Sequence, residues 1–191
     1  MFKKILISSI IIALTSAAYT ETKDPDLDKG ELAVTSSKTG KYREATAIGV
    51  IDAPADIIWE MITDYESHPK FMPMQKSSKI IKREGNTSWV DLIVLVGPAE
   101  LELTNKNMQY ITSEKRTMTW DQEKGPFTVS SGKWIIESYK KTKTKATYTA
   151  SLAYPLLPNS LAEKLIKDSF PKLFQNLRKR AVEIMKSKKK G

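Results

Sequence analysis

The sequence has no cysteine and a single histidine, and these two shortages exclude more chemistry than any motif adds. Without thiols there is no disulfide framework and no Cys–His nucleophile, and one imidazole cannot assemble the ligand sets that zinc needs. Glycine is sparse, 8 in 191 residues, and neither a Gly-rich phosphate loop nor a G-x-S-x-G turn occurs. No catalytic residue, metal ligand or cofactor is therefore assigned. Long apolar runs are also missing. The longest, from Ile5 to Leu14, falls well short of the roughly 20 residues a membrane-spanning helix requires.

That short run has a different use. In "MFKKILISSIIIALTSAAYT" it follows Lys3 and Lys4 and leads into the small residues Ser16-Ala17-Ala18, the three-part pattern of a secretory signal peptide. Cleavage is expected after about Ala18, which places the protein outside the cytoplasm, in a periplasm or secreted. The alternative is an uncleaved anchor. The predicted division is a leader over 1–18, a polar N-terminal arm over 19–41, one domain over 42–186 and a basic tail over 187–191. A chain of that size can bury a sizeable core, and without disulfides its stability must come from packing.

Positive charge is in surplus, with 31 Lys and Arg against 22 Asp and Glu. Much of it lies in "RKRAVEIMKSKKKG" at the end. Such a surplus suits anionic partners, or forms a solvated helix face with a frayed tail. Aromatic residues are not interleaved with the basic ones, which argues against nucleic acid.

Periodicity then orders the elements. "YREATAIGVI" alternates as a strand, with Ala45, Ala47, Gly49 and Ile51 on one face. Pro54 suits a first helical turn, with Asp52 or Ala53 expected as the cap, and Ile57, Ile58, Met61, Ile62 and Tyr65 recur at helical spacing. "SHPKFMP" ends that helix, leaving room for one short turn around Pro69–Met72. Six strand-like segments follow between short turns, which implies an antiparallel meander. A long amphipathic helix closes the chain, and Pro171 inside it predicts a kink or two abutting helices. A further short strand is expected near Leu32–Thr35.

This order, together with "VIDAPADIIWEMITDYESHPKFMP" and the ending "PLLPNSLAEKLIKDSFPKLFQNLRKRA", resembles the START/polyketide-cyclase (SRPBCC) superfamily. The resemblance rests on Ala53-Pro54, Ile58-Trp59, Thr63-Asp64-Tyr65, Pro69 and Pro73, and it spans about residues 42–186. It implies an α+β helix-grip fold: a curved antiparallel sheet of about seven strands around a long C-terminal helix, with two short helices after the first strand. It also implies an apolar cavity that holds a hydrophobic small molecule or lipid. A minority of the superfamily are cyclases or aromatases.

Alternation supplies candidate lining residues independently. On the last strand Ala146, Tyr148, Ala150 and Leu152 share one face. Alanines between large residues there either leave a void or permit close helix–sheet contact. Expected ligand contacts are Leu92, Leu101, Leu103, Met118, Trp120, Trp134, Tyr148 and Leu152 on strands, with Phe170 and Phe174 on the helix. Nearly all are apolar, and the aromatic ones offer a flat surface with a polar handle. In the resembled topology the loops at 96–99, 123–127 and 154–160 gather at one end. Pro98, Pro126, Leu156 and Leu157 are accordingly assigned to a mouth, where leucines beside Lys164 and Lys167 suit an anionic membrane surface.

Three functions follow: a binding protein for a hydrophobic molecule, a cyclase/aromatase-type enzyme using Tyr148, Tyr154 and an inward-turned Arg116, or an envelope interaction protein using its basic face. Ligand identity and oligomeric state are not legible from the sequence.

Overall fold

The computed structural model describes residues 26–40, 42–156 and 159–188. The predicted leader, residues 19–25 of the arm, Leu157 and the end of the basic tail lie outside that set.

Eight strands form one antiparallel sheet: β1 (Ala33–Thr39), β2 (Tyr42–Ile51), β3 (Gln75–Glu84), β4 (Thr87–Val96), β5 (Ala99–Ile111), β6 (Lys115–Lys124), β7 (Val129–Tyr139) and β8 (Lys143–Ala153). Their order is β1-β2-β8-β7-β6-β5-β4-β3, so β3 to β8 form the expected meander and β2 closes against its end. The chain crosses from β2 to β3 through α1 (Ala55–Thr63) and a 3-10 turn (Tyr65–Lys70), and α2 (Asn159–Lys188) packs in the curved sheet's grip. The helix-grip architecture is thus present, with one strand more than expected. The short strand foreseen near Leu32–Thr35 lengthens into β1 and pairs with β2 from Ala33↔Ile48 to Thr39↔Tyr42.

Local chemistry explains the helices. Pro54 itself is the N-terminal cap of α1, with an extended backbone (φ −58°, ψ 148°) and no side-chain cap bond, so the cap lies beyond Asp52 and Ala53. Its carbonyl accepts from the N–H groups of Ile57 and Ile58 at 3.0 and 3.3 Å. The face buried is the one the spacing predicts, Ile57, Ile58, Met61 and Ile62. The following 3-10 turn starts at Tyr65 and contains Pro69, slightly earlier than the turn expected around Pro69–Met72.

α2 is one uninterrupted helix with Pro171 inside it, in place of two abutting helices. Its inward face is Phe170, Leu173, Phe174, Leu177 and Ala181. The four large side chains, at about 2 kcal/mol each, contribute on the order of 8 kcal/mol of gross burial, enough to hold the proline in register. Two polar ties fix the helix to the sheet and turn. Arg178 donates through Nε and a terminal nitrogen to the carbonyl of Val50, at 3.2 and 3.0 Å, and Asn176 donates to the carbonyl of Phe71 at 2.9 Å. Close approach is possible because β2 carries Gly49 there: a Cβ would lie 2.8 Å from the Phe174 ring.

Candidate functional site

The sheet and α2 do not meet along their whole length. Toward the N-terminal half of α2 they enclose a cavity of about 590 Å³, within the size range of small-molecule sites. The predicted strand residues converge on it. Leu92 of β4, Leu103 of β5, Met118 and Trp120 of β6, Trp134 of β7, and Tyr148 and Leu152 of β8 all line it, as does Phe170 of α2. Two predicted residues do not. Leu101 has the right parity but is not among the lining side chains, and Phe174 is fully buried against Trp134 (ring centroids 6.2 Å apart) in the core beyond the cavity.

One wall is aromatic. Trp120 stacks on Tyr148 with centroids 5.4 Å apart and planes 14° from parallel, Trp134 tilts against Tyr148 at 4.4 Å, and Phe170 meets Tyr148 edge-on at 5.1 Å. The stack depends on Gly132, the register partner of Trp120 on β7. A Cβ there would lie 2.2 Å from the Trp120 ring and 2.2 Å from the carbonyl oxygen of Thr149. A glycine inside a strand is the usual mark of such an approach.

The mouth forms where the loops were expected to gather. Val96, Phe127, Tyr154 and Pro155 line that end, Phe127 touches Tyr154 (5.2 Å), and Thr128 donates to the carbonyl of Ala153 at 2.8 Å. Pro98 and Pro126 are exposed in these loops without lining the cavity, and their neighbours Val96 and Phe127 line it instead. Gly97, at φ 60°, takes the first position of the two-residue hairpin between β4 and β5, a backbone that favours glycine. Leu156 is 79% exposed at the end of β8's loop, and Leu157 lies outside the described residues. A segment not foreseen completes the rim: Met72, Pro73 and Met74. Met74 is left-handed (φ 65°), and its carbonyl accepts from the N–H of Leu95 at 2.7 Å.

The lining is less apolar than expected. Arg43, Tyr65, His68, Asn105 and Asn107 also face the cavity. Arg116, foreseen as inward-turned, instead pairs with Asp56 of α1 away from the cavity. Extending the alternation by one step would have found Arg43, which shares the face of Ala45 and Ala47, and Asn105 and Asn107, which continue from Leu103. Tyr65 continues the buried helical spacing of α1 but falls in the 3-10 turn after it, and His68 left no signal, because that turn has no simple period.

Three buried lining groups, His68, Tyr148 and Tyr65, are held neutral. His68 is buried between Tyr65 and Phe71, and its Nε2 lies 3.0 Å from the carbonyl of Ile62, which places the proton on that nitrogen. Desolvation pushes its pKa down to about 4, against the opposing effect of that hydrogen bond. Burial raises Tyr148, whose hydroxyl has no hydrogen-bond partner among the described residues. Burial also raises Tyr65, opposed by the hydrogen bond from Gln109. The resulting surface can hold an uncharged apolar body and offers few groups for proton transfer at neutral pH. Among the described residues no cluster of three or more His, Cys, Asp or Glu side chains could hold a metal ion.

Residues 51–178 match the family model described as polyketide cyclase/dehydrase and lipid transport. Among curated proteins no sequence match is found. Solved structures are similar in fold. Human StAR-related lipid transfer protein 5 superposes with a TM-score of 0.73 at 10% identity, covering 82% of this chain and 84% of that one. The STAR-related lipid transfer protein of Xanthomonas axonopodis gives 0.67 at 15% identity, covering 78% and 93%. The Zhui aromatase/cyclase of Streptomyces sp. R1128 gives 0.64 at 17% identity, covering 73% and 93%.

Proposed function

Because the chain belongs to the polyketide cyclase/dehydrase and lipid transport family, we propose that it is a binding protein that carries or sequesters a lipid or other hydrophobic small molecule in this cavity. The observation that supports the reading best is the enclosed volume of about 590 Å³ between sheet and helix. A protein interior without a ligand function packs to near crystal density. Leu92, Leu103, Met118, Trp120, Trp134, Tyr148, Leu152 and Phe170 are the proposed contacts. Export by the leader ending near Ala18 belongs to the same proposal and is supported by the composition of residues 1–18. A mouth bearing exposed Leu156 and Leu95 would deliver or collect the molecule at an anionic membrane surface.

Uptake of the uncharged fluorophore N-phenyl-1-naphthylamine tests the cavity. Val94 lines the cavity two residues from Val96, and saturable uptake that Val94→Trp blocks by filling the mouth end, with far-UV dichroism unchanged, supports the reading. Exclusion of the probe by the wild-type protein contradicts it.

A second reading, a cyclase/aromatase-type enzyme, is favoured by one observation: Tyr148 and Arg43 both face the cavity, where donors could polarise a carbonyl. Conversion of a linear polyketone to a ring, lost in Tyr148→Phe, would move the assignment there.

A further inference from the structure

Along β5 the inner-facing positions are Leu101, Leu103, Asn105, Asn107 and Gln109, so one strand passes from hydrocarbon to carboxamide. The register sets the direction of that change. Leu101 stands opposite Val94, near the mouth, whereas Asn105 and Asn107 stand opposite Val90 and Ser88, toward the end where Gln109 meets Tyr65 of the 3-10 turn. Asn105 and Asn107 are only 6% and 5% exposed, and both line the cavity.

The three amides are not equally occupied. Gln109 donates to the Tyr65 hydroxyl at 3.2 Å. Asn107 donates through Nδ2 to the carbonyls of Ser88 and Asn105, at 3.4 and 3.3 Å, which leaves its Oδ1 uncommitted. The Asn105 side chain makes no hydrogen bond with any described residue. A buried amide in that state costs about 1–3 kcal/mol, a cost that a leucine like Leu103 two positions away would avoid. More than about 90% of buried polar groups are paired, so the partner of Asn105 is to be sought in whatever fills the cavity. Rotation about the last torsion exchanges Oδ1 and Nδ2, so this amide can accept from a hydroxyl or donate to a carbonyl.

Among the described residues no ionised side chain shares this part of the wall. Arg43, the permanently charged lining residue, is on β2 opposite Leu152, at the mouth end. A full negative charge carried down to the amides would lose its hydration with no cation to meet it.

We propose that the occupant is an uncharged amphiphile bound polar end first, its hydroxyl or carbonyl against Asn105 and Asn107 and its apolar body running past Leu103 and Leu92 to the mouth. This rests on the carrier reading above and specifies the ligand class. Three matched probes separate the two: 1-butylpyrene, 1-pyrenebutanol and 1-pyrenebutyrate, titrated by quenching of tryptophan fluorescence at pH 7. The alcohol is expected to bind at least about fivefold tighter than the hydrocarbon, the worth of about one hydrogen bond, and tighter than the carboxylate. Asn105→Leu should bring alcohol and hydrocarbon within about twofold of each other, and keep or raise the melting temperature because an unpaired amide is gone.

Tightest binding of the carboxylate, or an alcohol preference that survives Asn105→Leu, overturns the proposal while leaving a hydrophobic carrier standing. Binding of none of the probes overturns both. Should Asn105→Leu not fold, the wild-type ranking decides alone.

Discussion

Gly132→Ala places one methyl group where the aromatic wall has no room for it. The new Cβ would stand 2.2 Å from the Trp120 ring and 2.2 Å from the carbonyl oxygen of Thr149, against ordinary contacts of about 3.5–4.0 Å. The ring can swing away, but the backbone oxygen belongs to the β7–β8 ladder and cannot. Overpacking of this kind costs about 1–3 kcal/mol, and displacing Trp120 from its 5.4 Å stack on Tyr148 forfeits about 0.5–1.5 kcal/mol more. Against this, alanine recovers up to about 1 kcal/mol of backbone entropy. At the midpoints of these ranges the net loss is about 2–3 kcal/mol, which lowers the melting temperature of a domain this size by about 4–12 °C. Thermal unfolding followed by far-UV dichroism reads the loss, and the near-UV tryptophan bands report the ring's movement. Adding Trp120→Leu should return part of the lost stability, the share due to the ring and not the share due to Thr149. A melting temperature within about 1 °C of wild type, with near-UV bands unchanged, would refute the stack over Gly132.

His68 makes stability pH-dependent. Its pKa falls from 6.5 to about 4 on folding, so the unfolded chain binds the proton first. The resulting stability is fully present above pH 6.5 and is lost as pH falls toward 4, on the order of 3 kcal/mol. The stability gap between wild type and His68→Gln should therefore change between pH 4 and pH 6.5 and stay constant above that window, and a gap that is constant across the window would exclude the effect. Arg178→Met removes two hydrogen bonds to the carbonyl of Val50 and should cost about 1.5–3 kcal/mol in denaturant unfolding; a loss below about 0.5 kcal/mol would mean the helix is held by burial alone. Leu156→Asp should reduce cosedimentation with anionic phosphatidylglycerol vesicles severalfold while leaving probe uptake unchanged. Unaltered cosedimentation would remove Leu156 from the membrane contact.

The fold was legible because each element had one dominant period. Ile57, Ile58, Met61 and Ile62 mark a helix, Tyr148, Ala150 and Leu152 a strand, and short turns left no room for crossovers. β1 was only partly visible, since "AVTSSKT" is a polar edge strand that owes its existence to pairing with β2 and not to burial. Of the two outcomes expected at Pro171, a kink or two abutting helices, the second does not occur, because packing of Phe170, Leu173 and Phe174 outweighs one missing backbone bond.

The apolar half of the cavity is read from alternation, and the same alternation carried further along β2 and β5 reaches Arg43, Asn105 and Asn107, polar residues that are passed over because a polar side chain in a strand is more often on the solvent face. His68 and Tyr65 reach the wall only through tertiary folding. Phe174 has the right helical face yet lies beyond the void, a distinction that depends on where Gly49 lets the helix approach. Sequence gives the facing direction of a side chain, but not whether a partner fills the space before it.

A cavity that holds a hydrophobic molecule should still hold it after gentle purification. Native mass spectrometry of the protein purified without detergent from its own host, followed by organic extraction, reads that occupancy. The expected result is a discrete added mass that leaves on denaturation and extracts as an uncharged amphiphile. A bare polypeptide mass that stays unchanged after incubation with total host lipid would contradict it.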